Sequence, residues 1–164
     1  MKKIVLIFML LVVCVLACFA DISRWSKMFY VDEFGDPTDK PYIRSEVVTL
    51  KHGKYVWDES PCYILIDEHS AGLYLDDRIY GEWIIRTKTD DGTTHTFKGE
   101  LLSTGLIRIK DATAYSLPAT FVIDLTKGCR LVATPDNKYS DSKYDFGKVR
   151  LSLEDLQRVR PDWK

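Results

Sequence analysis

Along most of the chain, apolar and polar residues alternate with a period of two, the pattern of β-strands that bury one face. The segment Cys62-Tyr63-Ile64-Leu65-Ile66 follows this pattern. Thr120-Phe121-Val122-Ile123-Asp124-Leu125 follows it more regularly, with Phe121, Ile123 and Leu125 on one face and its polar residues on the other. Further strands are predicted at residues 42–50, 73–75, 79–88, 93–101, 106–110, 130–134 and 145–151.

Short turns separate the predicted strands. Asp90-Asp91-Gly92 lies between two of them, and glycine accepts the positive φ that a tight hairpin turn requires. Short strands at this spacing, without a long helical period, predict an all-β fold. We expect a single antiparallel β-sandwich, or a small barrel.

One short C-terminal helix is predicted. Ser152 and Asp155 have the spacing of a capping box, a hydroxyl at the start with an acid three residues later. Leu153 and Leu156 are expected to face inward, and Pro161 to end the helix.

The first twenty residues differ from the rest of the chain. Lys2 and Lys3 precede an apolar run over residues 4–20, which predicts a signal peptide at 1–20 and a single β-rich domain at 21–164. The run is slightly shorter than most membrane spans, so an uncleaved anchor is the less favoured alternative. Two cleavage sites are compatible with the sequence, one before Cys18 and one after Ala20.

The segment Val15-Leu16-Ala17-Cys18 resembles the bacterial lipobox. The resemblance implies that Cys18 carries lipid and attaches the mature chain to a membrane. The predicted location is then the periplasm, the outer membrane or the cell surface.

Charge and cysteine content limit the classes of function further. The 164-residue chain has a formal net charge of -1, so it lacks the basic excess that nucleic-acid binding needs. Cys62 and Cys129 are the two cysteines of the predicted domain, and an even pair in an oxidising compartment predicts a disulfide. The alternative is two buried thiols that do not meet.

No convergent catalytic set is recognisable. Asp67-Glu68-His69-Ser70 places an acid, a histidine and a serine side by side, but a triad needs groups from separate elements, so a polar turn is predicted. His52, His69 and His95 lack metal-ligand spacing, and His95 alternates with apolar residues as a half-buried histidine would. We predict no catalytic residue, no cofactor and no enzymatic activity.

Two sets of side chains are candidates for binding. Asp32, Asp36 and Asp39 are candidate ligands of a weak metal site, although their spacing fails the helix-loop-helix calcium pattern. The alternative is an acidic turn, with Asp36-Pro37-Thr38-Asp39 as its residues. A candidate aromatic binding face consists of Trp57, Tyr74, Tyr80 and Trp83, and cross-strand packing is the competing interpretation.

The stretch YVDEFGDPTDKPYI, residues 30–43, resembles an N-terminal motif of uncharacterised exported bacterial proteins. The later segments TKTDDGTTHTFKGELLSTGLIRI and LPATFVIDL are also similar to that family. More weakly, the chain is similar to small β-sandwich envelope proteins linked to invasion loci and type VI secretion. These resemblances imply an exported β-sandwich and supply no catalytic residue.

The predicted function is therefore that of an exported envelope protein, a non-enzymatic binding module on a lipid anchor. Its partner would be an envelope protein or a small ligand. Two alternatives remain open: a small-ligand carrier with a closed barrel, and a periplasmic inhibitor or immunity protein.

Overall fold

The structure, a computed structural model, describes residues 21–51, 59–75, 81–110, 118–137 and 140–163. The strands are β1 (Asp21–Ile22), β2 (Trp25–Val31), β3 (Pro37–Ser45), β4 (Val48–Lys51), β5 (Glu59–Asp67), β6 (Ala71–Leu75), β7 (Glu82–Thr89), β8 (Thr94–Leu101), β9 (Leu106–Lys110), β10 (Cys129–Pro135) and β11 (Tyr144–Val149). The helices are α1 (Ala119–Lys127) and α2 (Leu153–Gln157). The predicted all-β class with a short C-terminal helix is confirmed.

All of these strands belong to one hydrogen-bonded sheet. Its order is β1-β11-β10-β7-β8-β9-β6-β5-β3-β2, and β4 pairs with β5 beside that path. Every neighbouring pair is antiparallel except β1 and β11. The predicted hairpin at Asp90-Asp91-Gly92 is present, since it joins β7 to β8.

The two end strands of this order are consecutive in the chain. β1 ends at Ile22 and β2 begins at Trp25, so the two edges of the sheet approach within about 10 Å of each other there. The sheet must therefore curl around its own core. Trp25 Nε1 donates to the Arg150 carbonyl at 2.9 Å, and Arg150 N donates to the Ile22 carbonyl at 2.8 Å. The first bond links β2 to the opposite edge and the second extends the β1–β11 pairing at that edge, although the sheet is not closed.

The concave side of the sheet contains the hydrophobic core. Alternate strand residues point inward, as the period of two predicts, and the largest fully buried side chains are those of Trp83, Tyr144, Phe121 and Phe146. Helix α1 packs against β7, and Phe121 meets the Phe97 ring edge-on at 5.5 Å between centroids. The described inward side chains form one continuous buried cluster.

The predicted strand at residues 120–125 is wrong, because this segment is helix α1. Its buried residues are Phe121, Val122, Asp124 and Leu125, the spacing of one helical face, whereas Ile123 is 40% exposed. Helix boundaries were present in the sequence, since Pro118 precedes the segment and Gly128 follows it with φ of 84°. The regular alternation of apolar and polar residues nevertheless predicts a strand.

The C-terminal helix α2 is formed as predicted at its start. Ser152 Oγ accepts a hydrogen bond from Asp155 N at 3.0 Å and donates to Asp155 Oδ2 at 2.6 Å. Leu156 is buried as expected. Leu153 instead is 45% exposed, because the first turn of the helix points it away from the core.

The predicted disulfide is not formed. Cys62 and Cys129 are both buried but do not lie at disulfide distance. Cys62 faces the core from β5, whereas Cys129 begins β10 opposite Thr89, and four strands separate β5 from β10 in the sheet. The spacing of cysteines along a chain does not determine which strands become neighbours.

The predicted signal peptide, Cys18 and its lipid lie outside the described residues. Over the part of the chain that the structure describes, no helix is both long and apolar enough to span a bilayer.

Candidate functional site

The four residues of the predicted aromatic binding face differ in what the structure shows for them. Trp83 is fully buried, and its ring lies 5.7 Å from that of Tyr144 at an interplanar angle of 55°, so for this residue core packing is the correct interpretation. Tyr74 is half-buried on the convex face of the sheet. Trp57 and Tyr80 lie outside the described residues.

Tyr74 belongs to a set of tyrosines that sequence reasoning did not assemble. The tyrosine row, as we name it, consists of Tyr30, Tyr42, Tyr63 and Tyr74 on the convex face. Tyr63 and Tyr74 are cross-strand partners whose rings stack at 4.7 Å with an interplanar angle of 7°. Tyr30 and Tyr42 lie 4.7 Å apart at 39°. The guanidinium carbon of Arg44 lies 5.3 Å from the Tyr63 ring centroid.

Two hydroxyls of this row, those of Tyr30 and Tyr63, have a raised pKa. Burial, followed by the hydrogen bond to Asp67, raises the pKa of Tyr30, whose hydroxyl donates to Asp67 Oδ2 at 2.7 Å. Burial also raises the pKa of Tyr63, and the neighbouring Tyr74 adds to the effect. Tyr30 and Tyr63 are therefore neutral phenols.

The tyrosine row adjoins the edge hairpin, which we define as β2, β3 and the turn between them. β2 is an end strand of the sheet, paired with β3 on one side. Its distal half is exposed on both faces: Phe29 is 45% exposed, Tyr30 36%, Val31 63% and Phe34, in the turn, 82%. The hairpin thus extends beyond the core and carries apolar side chains into solvent.

The turn of the edge hairpin explains the acidic stretch. Asp32 Oδ1 accepts hydrogen bonds from Phe34 N and Asp36 N, both at 2.9 Å, and Gly35 has φ of 88°. The turn therefore spans residues 32–36, and Pro37 already begins β3, several residues earlier than the predicted turn would allow. Asp32 acts as a turn cap.

The candidate metal ligands Asp32, Asp36 and Asp39 are all exposed. Within the described ranges, no three or more His, Cys, Asp or Glu side chains are grouped so that they could hold a metal ion. An acidic turn is the interpretation that the geometry supports.

A second polar cluster lies under helix α1. The Asp124 carboxylate accepts from Thr87 Oγ1 at 2.5 Å and lies 2.9 Å from His95 Nδ1, and its side chain is 3% exposed. The His95 side chain is 39% exposed, which confirms the predicted half-buried histidine. Burial raises the pKa of the Cys129 thiol to about 12, with carboxylates including Asp124 adding to the shift. Cys129 is therefore a protonated thiol and no nucleophile for the His95–Asp124 pair.

The acid-histidine-serine segment is a polar turn, as predicted. It joins β5 to β6, and Asp67 Oδ1 accepts from His69 N at 2.8 Å and from Ser70 N at 2.6 Å. Ser70 Oγ donates to Asp67 Oδ2 at 2.8 Å. These contacts organise the turn and leave Ser70 without a histidine as base.

In comparisons with known proteins, no family model, no curated protein and no solved structure matches this chain. The fold and the exposed hairpin define the protein at the level of class: an all-β domain with an apolar edge. The resemblance of the stretch at residues 30–43 to exported bacterial proteins stays a prediction.

Proposed function

We propose that the protein is an exported bacterial envelope protein, a non-enzymatic interaction module whose docking surface is the edge hairpin. One observation carries this proposal. Among the described residues, seven large apolar side chains are exposed, and four of them fall within residues 29–34. Exposed apolar side chains concentrated at a sheet edge support a contact with another protein, because their contact with water is unfavourable and a partner would cover them.

The chemistry of the hairpin specifies the partner. An end strand offers backbone N–H and C=O groups to an additional strand, while Phe29 and Val31 offer apolar contacts beside them. Asp32, Glu33 and Asp36 at the tip are exposed and negative. The partner is therefore an extended protein segment that combines apolar residues with lysine or arginine.

The turn favours such binding because it is already ordered. Thr38 Oγ1 donates to the Tyr30 carbonyl at 2.9 Å, and Asp32 N donates to the Asp36 carbonyl at 2.9 Å. A hairpin held in its binding conformation loses less conformational entropy on association.

The proposal includes export and a membrane tether. It is supported by Lys2 and Lys3 before the apolar run and by the lipobox-like segment ending at Cys18. Lipid at Cys18 would place the hairpin close to a membrane surface, since β2 begins only seven residues later.

Of the two alternatives, an inhibitor or immunity protein uses the same surface, with an enzyme as the partner. The small-ligand carrier has less support, because the described inward side chains pack into one continuous cluster.

Site-specific photo-crosslinking in cells tests the docking surface. A benzophenone amino acid is introduced at Phe34 in one strain and at Leu153, an exposed apolar residue of α2, in a control strain. We expect one discrete protein adduct from position 34 and none of that mass from position 153. Added wild-type domain should compete for the adduct, and a Val31→Asp domain should not.

Adducts of the same pattern at both positions would contradict the proposal, and so would an adduct at position 34 that both competitors reduce equally. The folded state of the Val31→Asp domain is checked by its unfolding midpoint. Because Val31 is 63% exposed, this substitution should change the free energy of unfolding by less than about 0.5 kcal/mol.

A further inference from the structure

The Arg44 side chain contains a buried hydrogen-bond donor without an acceptor. Arg44 lies on the convex face of β3, and its Nε is buried with no hydrogen-bond partner among the residues that the structure describes. Within the described residues its guanidinium forms no salt bridge. Buried N–H groups in folded proteins are almost always bonded, so an orphan donor of this kind points to a group that binds there.

The described neighbours of Arg44 do not offer a free acceptor to its Nε. Tyr63, whose ring the guanidinium covers, is a neutral phenol. One carboxylate on the same face, Asp67, already accepts from His69 N, Ser70 N, Ser70 Oγ and the Tyr30 hydroxyl. Its lone pairs are committed to the turn and to the tyrosine row.

The floor of this site is apolar. Leu65 is the cross-strand partner of Arg44 and lies on the convex face, yet it is only 8% exposed. Gly72 continues the same row on β6, and Arg108 follows it on β9. Side chains thus shield Leu65 from water between two arginines, and an ion pair formed there is stronger than one in bulk solvent.

We propose that Arg44 is an oxyanion-binding residue. A carboxylate or phosphate group of a ligand accepts hydrogen bonds from Nε and from a terminal nitrogen of the guanidinium, in the two-point geometry that arginine offers. The body of the ligand rests against the hydroxyl edges of the tyrosine row. This site shares β3 and Tyr30 with the edge hairpin, but it does not use the exposed apolar side chains of Phe29, Val31 and Phe34.

Nitrogen-15 NMR of the intact exported domain tests the site directly, because an arginine Nε–H gives its own signal. The probes are sodium acetate and inorganic phosphate, titrated at constant ionic strength with chloride as the balancing anion. We expect a saturable shift of the Arg44 Nε–H signal with at least one probe. The probe that saturates at the lower concentration identifies the ligand group as a carboxylate or as a phosphate.

Two variants complete the test. Arg44→Lys keeps the charge but removes the two-point geometry, so the shifts of tyrosine-row signals should saturate about tenfold higher in probe concentration. Arg86→Lys, an exposed arginine on β7, should titrate as the wild type does. If Arg44→Lys does not fold, Arg44→Gln replaces it and should abolish saturation. Linear shifts in the wild type, or equal affinities in wild type and variant, would show weak surface screening only and overturn the proposal.

Discussion

At the scale of single residues, Asp124 is the one carboxylate among the fully described side chains that the fold buries. It is 2% exposed and satisfies Thr87 Oγ1 and His95 Nδ1 together. Its three-way contact joins helix α1 to strands β7 and β8. This carboxylate is costly to remove, because the Thr87 hydroxyl then stays buried without its acceptor.

We therefore expect Asp124→Ala to lower the free energy of unfolding by about 1–3 kcal/mol. Asp124→Asn keeps an oxygen acceptor and should cost less. Urea denaturation followed by tryptophan fluorescence measures both, and Glu33→Ala, at an exposed turn position, should stay within about 0.5 kcal/mol of the wild type. An Asp124→Ala variant as stable as the Glu33→Ala control would show that the contacts add nothing to stability.

At the scale of elements, the β7–β8 hairpin has a turn whose stability depends on pH. Asp91 Oδ1 accepts from Thr89 Oγ1 at 2.6 Å and from Thr93 N at 2.8 Å. The Thr89 hydrogen bond, followed by those of Thr93, lowers the pKa of Asp91 from 3.8 to about 2. The unfolded chain binds this proton first as pH falls, so the contribution of Asp91 is complete above about pH 4 and is lost toward pH 2.

Asp91→Asn should therefore lower the stability of the protein at pH 5, and the difference from the wild type should shrink at pH 2.5. Urea denaturation at the two pH values measures this change. Thr89→Val removes the hydroxyl that donates to Asp91. In this variant too, the free energy of unfolding should depend less on pH than in the wild type. A difference between wild type and Asp91→Asn that is equal at both pH values would contradict the assigned hydrogen bonds.

The elements also show how far the sequence could be interpreted. Alternation and turn chemistry predict β5, β7, β8 and their hairpins, because both signals are local. The segment of helix α1 is predicted as a strand because β-branched and aromatic residues recur along it at alternate positions. Its helical period becomes visible only once it is known which of its side chains the core buries. In the sequence, the acidic residues of the edge hairpin were the feature that suggested a function, as candidate metal ligands. Its apolar residues become informative once β2 is known to be an end strand.

At the scale of the whole molecule, strand order is the feature that the sequence could not provide. A period of two tells which face of a strand is buried, but it does not tell which strand lies beside it. The pairs β10–β7, β6–β9 and β1–β11 join segments far apart in the chain. Both the separation of the two cysteines and the position of β2 at the end of the sheet follow from that order, so neither could be predicted from the sequence.

The meeting of the two sheet edges is the whole-molecule feature that can be tested by one substitution. Trp25 is 7% exposed, and its indole N–H bonds the Arg150 carbonyl across 125 positions of the chain. Trp25→Phe keeps most of the apolar contact and removes that bond, so we expect a loss of about 1 kcal/mol in the free energy of unfolding. Trp25→Ala should lose about 3–5 kcal/mol, because it also opens a cavity.

Hydrogen exchange locates the effect at the junction. The Arg150 amide donates to the Ile22 carbonyl, so in Trp25→Phe it should exchange faster than amides in the centre of β7. Leu153→Ala, which truncates an exposed apolar side chain of α2, should leave the Arg150 amide protected. Regions with few contacts open locally before the whole protein unfolds. If the exchange rates of the β7 amides and the Arg150 amide rise equally in Trp25→Phe, the two sheet edges do not open separately from the rest.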